Sequence, residues 1–171
     1  MSIFDIFSNY GKSDKQVESY NKLFIKLRKD YPDADEDSLV IMSCISGLMA
    51  RVAYVDFKLD EAEKEKIITI LKEWNIHPSF NSEEIAKMAI HHIKDMAGLE
   101  NHLYVHSLNK ALNTDERYQV LQSLFLIAAS DGEVENLESE EIRTICKGLE
   151  LSRQHFLSAR AEVASYLKAL G

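Results

Sequence analysis

The chain has few of the residues that break or cross-link a fold. Only two prolines, six glycines and two cysteines occur among its 171 residues. The shortage of proline and glycine argues against the many turns of an all-β protein and favours long helices. Cys44 and Cys146 lie in apolar runs without C-x-x-C spacing or a histidine at ligand spacing. We therefore expect two buried free thiols, which suit a reducing cytoplasm.

Long apolar runs are also missing. No stretch approaches the roughly 20 apolar residues that a membrane-spanning helix needs. The N-terminal stretch lacks the basic region of a secretory signal, and Asp5 interrupts its apolar residues. The sequence therefore predicts a soluble, cytoplasmic protein, in which residues 1–12 are flexible or dock on a membrane surface, a partner or the protein's own core.

Blocks of basic residues are absent as well. The chain has 28 acidic residues against 20 Lys and Arg, for a formal net charge of -8. Because phosphate backbones are bound by clustered Lys and Arg, nucleic acid is not an expected partner. An acidic chain suits a cation or a basic protein surface instead.

What the sequence does contain is helical periodicity with capping signals, which predicts an all-α fold of about eight helices. A second helix over about 37–55 and a sixth over about 114–130 are apolar almost all round, so we expect them at the centre of the core. The third helix, over about 61–74, and the seventh are amphipathic and should cover the core from outside. We expect a single domain over 1–171, in two pseudo-symmetric halves at about 37–98 and about 112–170 that pack as one helical body.

Two acidic turns repeat at a spacing of 75 residues. AYVDFKLDEAEKEKI, which begins at Ala53, and AASDGEVENLESEEI, which begins at Ala128, share the pattern D-x-x-x-[DE]-x-x-E. Packing requires apolar periodicity, but it does not require charges at fixed offsets. The predicted metal ligands are the six acids of this pattern: Asp56, Asp60, Glu63, Asp131, Glu135 and Glu138.

Carboxylates that are held close together repel one another, so their pKa values rise unless a cation or backbone N–H groups neutralise them. Such oxygen ligands suit Ca²⁺, Mg²⁺ or Mn²⁺. Helix capping is the competing interpretation, because Asp60 and Glu63 match the capping-box pattern. In the second turn Glu135 is a poor N-cap residue type, and Asn136 is an alternative cap.

The two turns differ at the residue after the first aspartate. Gly132 follows Asp131 and can supply a positive φ, whereas Phe57 follows Asp56. If only one cation site exists, the second turn is therefore the preferred candidate.

Other motifs give weaker signals. Asn136 and Ile142 stand where an EF-hand loop beginning at Asp131 would need glycine and glutamate. His102 and His106 form an i, i+4 pair, and His91 precedes Asp95 by four residues, but no third ligand accompanies them. No G-x-S-x-G, Walker A or dinucleotide-binding motif occurs, so the sequence gives no sign of a catalytic site.

The residues of the two acidic turns also resemble a known family. LFLIAASDGEVENLESEEI, from Leu124 to Ile142, and LMARVAYVDFKLDEAEKEKI, from Leu48 to Ile67, are similar to the repeated turns of the TerB-like tellurite-resistance family. The resemblance implies an all-α fold and a role in bacterial tellurite or chemical-stress resistance. It also implies that the acids at the six positions named above bind a divalent metal, and it places the protein at the inner face of the membrane with other proteins of the system.

Together, the residues and the resemblance predict a non-enzymatic stress-resistance protein whose acidic turns bind a divalent cation or a basic protein partner. No other cofactor is expected. Peripheral membrane association is a further expectation, and the sequence leaves the oligomeric state open. The alternatives are a metal-dependent enzyme that uses the same carboxylates, with an open coordination position and a nearby general base, and a purely structural interaction module.

Overall fold

The computed structural model describes residues 15–95 and 102–170, which form helices and contain no strand. The helices are α1 Lys15–Asp30, α2 Glu36–Ala53, α3 Glu61–Trp74, α4 Ser82–Asp95, α5 His102–Ala111, α6 Thr114–Ala128, α7 Asn136–Gly148 and α8 Arg153–Leu170. The prediction of an all-α fold with about eight helices is confirmed. The arrangement in two pseudo-symmetric halves stays a prediction, and the interpretation of residues 1–12 falls outside the described residues.

The core is built around α2 and α6, as their apolar sequences predict. Leu48 and Met49 of α2 and Phe125 and Ile127 of α6 have no exposed surface. The two helices contact each other, α2 also contacts α4 and α5, and α6 also contacts α8. No helix among the described residues has the length and apolar character needed to cross a bilayer.

The amphipathic helices α3 and α7 cover this centre. Both contact α2 and α6, and each buries the apolar face that its spacing predicts, through Ile67 and Ile70 in α3 and through Ile142 and Ile145 in α7. The expectation for the two cysteines is also met, since Cys44 and Cys146 are both buried and neither forms a disulfide.

Several contacts fix the position of α7, which carries half of the site described below. The Asn109 side-chain amide donates to the Gly148 carbonyl at 2.7 Å, and the Arg117 guanidinium donates to the Leu149 carbonyl at 2.7 Å. Nearer its start, Glu141 accepts from Arg51 Nε of α2 at 3.0 Å. The first two bonds satisfy carbonyls that a helix end leaves without partners, and all three hold α7 against α5, α6 and α2.

Candidate functional site

The two acidic turns have the same local hydrogen bond. After α2, Asp56 Oδ1 accepts from the Lys58 N–H at 2.9 Å, and after α6, Asp131 Oδ1 accepts from the Glu133 N–H at 3.3 Å. In each turn the aspartate side chain binds the backbone two residues later, which is a common way for aspartate to stabilise a turn. The repeat in the sequence is therefore matched by a repeated turn.

The residue after each aspartate has a positive φ. Gly132 has a φ of 114°, and Phe57 has a φ of 64° although it is not a glycine. The sequence difference at this position therefore does not mean a difference in the sign of φ. The Phe57 side chain is 63% exposed and lies edge-on to Tyr54, with 5.9 Å between ring centroids.

Replacing Phe57 with glycine is expected to raise the free energy of unfolding by about 1 kcal/mol, because a left-handed conformation costs roughly that much in a residue with a Cβ. Gly132→Ala should have the opposite effect, with a loss of about 1 kcal/mol. A Cβ at Gly132 would meet no atom within 4 Å, so its loss would come from backbone strain alone. Urea unfolding of both variants measures these changes. Changes in the free energy of unfolding that have the same sign in the two variants would contradict this account of the turns.

The capping interpretation is confirmed for the first turn. Asp60 is the N-cap of α3, and its Oδ1 accepts from the Ala62 N–H at 2.7 Å. The Asp60 N–H in turn donates to Glu63 Oε2 at 2.9 Å. A capping box of this kind satisfies backbone donors that would otherwise lack partners at the start of a helix.

The second turn repeats half of this arrangement. Glu135 is at the N-cap position of α7, and its N–H donates to Glu138 Oε2 at 2.8 Å. Asn136 is the first residue of the helix, so it does not take over the cap. Each helix therefore begins with a glutamate in its third position that folds back onto the preceding backbone.

The two glutamates that fold back meet each other. Glu63 is 5% exposed and Glu138 is 7% exposed, and their carboxyl groups lie close enough for each to act on the pKa of the other. Two ionised carboxylates can only accept, so a hydrogen bond between them requires that one of the two carries a proton. The fold thus brings together one acid from each turn in a largely buried pair, hereafter the Glu63–Glu138 pair.

Burial is the main reason why both carboxyl pKa values are raised. It raises the pKa of Glu63, and it raises that of Glu138 from 4.5 to about 8. The Asp60 and Glu135 N–H groups oppose the shift, since they stabilise the ionised forms. Repulsion from Asp131 acts on both glutamates and adds to the effect of burial. The proton is shared by the pair and so belongs to both residues jointly.

The other predicted ligands lie around the Glu63–Glu138 pair without joining it. Asp56 is near enough to Glu63 to raise its pKa by repulsion, while Asp60, Asp131 and Glu135 are exposed. Among the residues that the structure describes, no three or more His, Cys, Asp or Glu side chains are grouped so as to hold a metal ion. The donor set fits a hard cation in its chemistry, since it consists of carboxylate oxygens, and the pair would supply two of the ligands of such an ion. The side chains of His102 and Asp95 fall outside the described residues.

Residues 39–161 match the family model described as tellurite resistance protein TerB. The chain belongs to the TerB family. That match covers both acidic turns and the helices α3 to α7 between and after them, and it confirms the resemblance in the sequence. No curated protein and no solved structure gives a significant match.

The meeting of Glu63 with Glu138 is the part of this TerB-family site that the sequence analysis missed. A signal for it is present in the chain. Glu63 precedes the buried Ile67 by four residues, and Glu138 precedes the buried Ile142 by four residues. Since residues at i and i+4 share a helix face, both glutamates point toward the core, unlike Asp60 and Glu135.

Proposed function

We propose that this TerB-family protein is a non-enzymatic protein of tellurite or chemical-stress resistance, in which the Glu63–Glu138 pair binds a divalent cation. The observation that carries the proposal is the placement of two largely buried carboxyl groups against each other, one from each acidic turn. Unpaired buried charges are costly, so an arrangement of this kind has to be neutralised either by a proton or by a cation.

The ligand chemistry favours Ca²⁺, Mg²⁺ or Mn²⁺ over softer metals, because every candidate donor is an oxygen. Glu63 and Glu138 would each release their share of the proton and supply a carboxylate. Asp131, whose charge acts on both glutamates, is a candidate source of a third oxygen, and water completes the shell of such ions. Binding of the cation is therefore expected to compete with the proton and to strengthen as the pH rises.

A structural module is the second candidate function, and the capping contacts favour it. The Asp60, Glu63 and Glu138 carboxylates all accept backbone N–H groups. If capping is their whole role, the exposed acids of the turns would serve only to meet a basic surface of a protein partner. An enzyme is favoured less. The shallow cavity of about 440 Å³ at the second turn is lined by residues 133–137, so the Glu63–Glu138 pair does not form part of its wall.

Thermal unfolding at pH 8 separates these functions. A cation at ten times its dissociation constant should stabilise the folded protein by about 1.4 kcal/mol. We expect Ca²⁺, Mg²⁺ or Mn²⁺ to produce this shift in the wild type and not in the variant with Glu63→Gln and Glu138→Gln. Glutamine keeps the size of the side chain and its ability to accept the capping N–H, so the variant removes the charge and leaves the cap.

Glu116→Gln is the matched control. Glu116 folds back onto Asn113 in a capping box of α6, with the Asn113 N–H donating to Glu116 Oε2 at 2.8 Å. Its cation response should equal that of the wild type. If no ion shifts the wild type, or if the doubly substituted variant keeps the shift, the cation site is not at this pair and the structural module is the better account.

The resistance role is tested separately, by survival of a tellurite-sensitive bacterial host that expresses either the wild type or the doubly substituted variant. We expect protection by the wild type alone, at equal protein levels. Equal protection by both would separate the family function from the Glu63–Glu138 pair. The two buried free thiols support a reducing, cytoplasmic location for this role.

A further inference from the structure

A second cavity lies away from the acidic turns, between the end of α7 and the start of α8. It measures about 390 Å³, which is within the range of small-molecule sites. Its inner wall is apolar, with the buried side chains of Leu151 and Phe156 and with Leu157, which is 44% exposed. An apolar wall of this kind suits the hydrocarbon part of a ligand.

The remainder of the wall is basic. Arg143, Lys147 and Arg153 line the cavity, and no acidic residue does, although the whole chain carries a net charge of -8. Arg143 lies over the Phe156 ring at 5.1 Å, and it forms an exposed ion pair with Glu140 at 3.7 Å. The Lys147 and Arg153 side chains make no hydrogen bond or ion pair with another described residue. Both ammonium and guanidinium groups therefore remain available to an anion.

The helix that begins at this cavity adds to the positive field. Arg153 is the first residue of α8, and Ser152 before it accepts the His155 N–H at 3.3 Å. The N-terminus of a helix carries a partial positive charge and attracts anions. It acts here beside two cations that have no ion-pair partner in the part of the chain that the structure describes, and beside an apolar wall. Three features of the cavity therefore favour the same class of ligand.

The first half of the repeat does not contain this combination. At the spacing of 75 residues, Ile68 corresponds to Arg143, Lys72 to Lys147 and Pro78 to Arg153. Only one of the three cations therefore has a counterpart. The first half has no cation at the positions that correspond to Arg143 and Arg153, and α3 still packs on α2 and α6. The equivalent packing of α7 on α2 and α6 therefore does not require these two cations.

Cys146 also faces the cavity, but it is not set up as a nucleophile. Its Sγ lies 3.9 Å from the Leu151 carbonyl and 3.7 Å from that of Ser152, and burial raises the pKa of the thiol. Carbonyl oxygens favour the protonated thiol, so Cys146 acts as part of the apolar wall.

We propose that this cavity binds a small amphiphilic anion, with a phosphate or carboxylate head between Lys147 and Arg153 and a short hydrocarbon tail against Leu151 and Phe156. The basic groups bind the head, and the apolar wall removes the tail from water. This site is independent of the Glu63–Glu138 pair.

Isothermal titration calorimetry with hexyl phosphate tests the proposal on the full chain. Inorganic phosphate and hexanol serve as probes of the head and the tail alone. We expect hexyl phosphate to bind at least about tenfold more tightly than either probe, and more weakly as salt is added. The variant with Lys147→Gln and Arg153→Gln should bind it at least about tenfold more weakly than the wild type.

The matched control carries Lys72→Gln and Arg160→Gln, which remove the same number of exposed charges from α3 and α8. It should bind hexyl phosphate as the wild type does. The proposal is overturned if hexyl phosphate does not bind, if both variants weaken binding equally, or if inorganic phosphate binds as tightly as hexyl phosphate. Binding only to phosphatidylglycerol vesicles, and not to dissolved hexyl phosphate, would overturn it in favour of a membrane-surface contact.

Discussion

The stability that comes from the Glu63–Glu138 pair is expected to fall as the pH rises from 4.5 towards about 8 in the absence of divalent cations. Both glutamates have a higher pKa in the folded protein than in the unfolded chain, so the folded state holds protons that the unfolded state has already lost. Their favourable contribution is complete below the unfolded pKa and is lost as the pH passes through the folded pKa. Deprotonation leaves two facing carboxylates in a largely buried position.

The size of the effect follows from the shift of Glu138. One pKa unit corresponds to about 1.4 kcal/mol. Water around the exposed acids of the turns screens part of the repulsion, so we count only about half of the shift. The free energy of unfolding should then fall by about 2 kcal/mol between acidic and alkaline pH. Glu138→Gln should avoid this loss, because its amide donates to the Glu63 carboxylate at every pH. We expect the variant to melt about 4 to 8 °C above the wild type at pH 8.

Melting curves from pH 4.5 to pH 8.5, recorded with a chelator, provide the measurement. Glu116→Gln again serves as a control, because Glu116 caps α6 in the same manner. Its melting temperature should change with pH in the same way as that of the wild type. A Glu138→Gln variant that is less stable than the wild type at pH 8 would mean that Glu138 is ionised and stabilising in the folded protein, contrary to the sharing of a proton.

Phe125→Ala is expected to lower the free energy of unfolding by about 3 to 5 kcal/mol, as is typical when a buried aromatic side chain is deleted from a core. Phe125 has no exposed surface, and its ring lies 5.3 Å from that of Phe156, between centroids. Because α6 contacts α2, α3, α7 and α8, a cavity at this position weakens the packing at the centre of the core.

Chemical unfolding followed by circular dichroism measures this loss. Phe57→Ala is the matched control, since it removes the same side chain from a site that is 63% exposed. The control should change the stability by less than about 1 kcal/mol. Similar losses for the two variants would contradict the placement of α6 at the centre of the core.

The helices were predictable because their signals are local. Apolar residues on all sides placed α2 and α6 in the interior, and the capping residue Asp60 marked where α3 begins. The bounds of α3, Glu61–Trp74, agree with the prediction from its periodicity. Local spacing therefore determined both the elements and the buried faces in most of the described chain.

The site was only partly predictable, because it depends on contacts between distant residues. The repeat identified six acids, but their spacing does not show that Glu63 and Glu138 pack against each other while Asp60 and Glu135 face water. The positive φ of Phe57 could not be predicted from the sequence either. Residue preference argues against that conformation in phenylalanine, and the shared geometry of the turn overrides the preference.

The most direct measurement of the central claim is a ¹³C NMR titration of the Glu63 and Glu138 side-chain carboxyls, with and without Ca²⁺. Without the ion, at least one of the two should titrate with a midpoint above about 7, and saturating Ca²⁺ should lower that midpoint by at least about two units, since cation and proton compete for the same oxygens. If both carboxyls instead titrate close to the ordinary value of 4.5, or if Ca²⁺ leaves their midpoints unchanged, the pair neither shares a proton nor binds the ion.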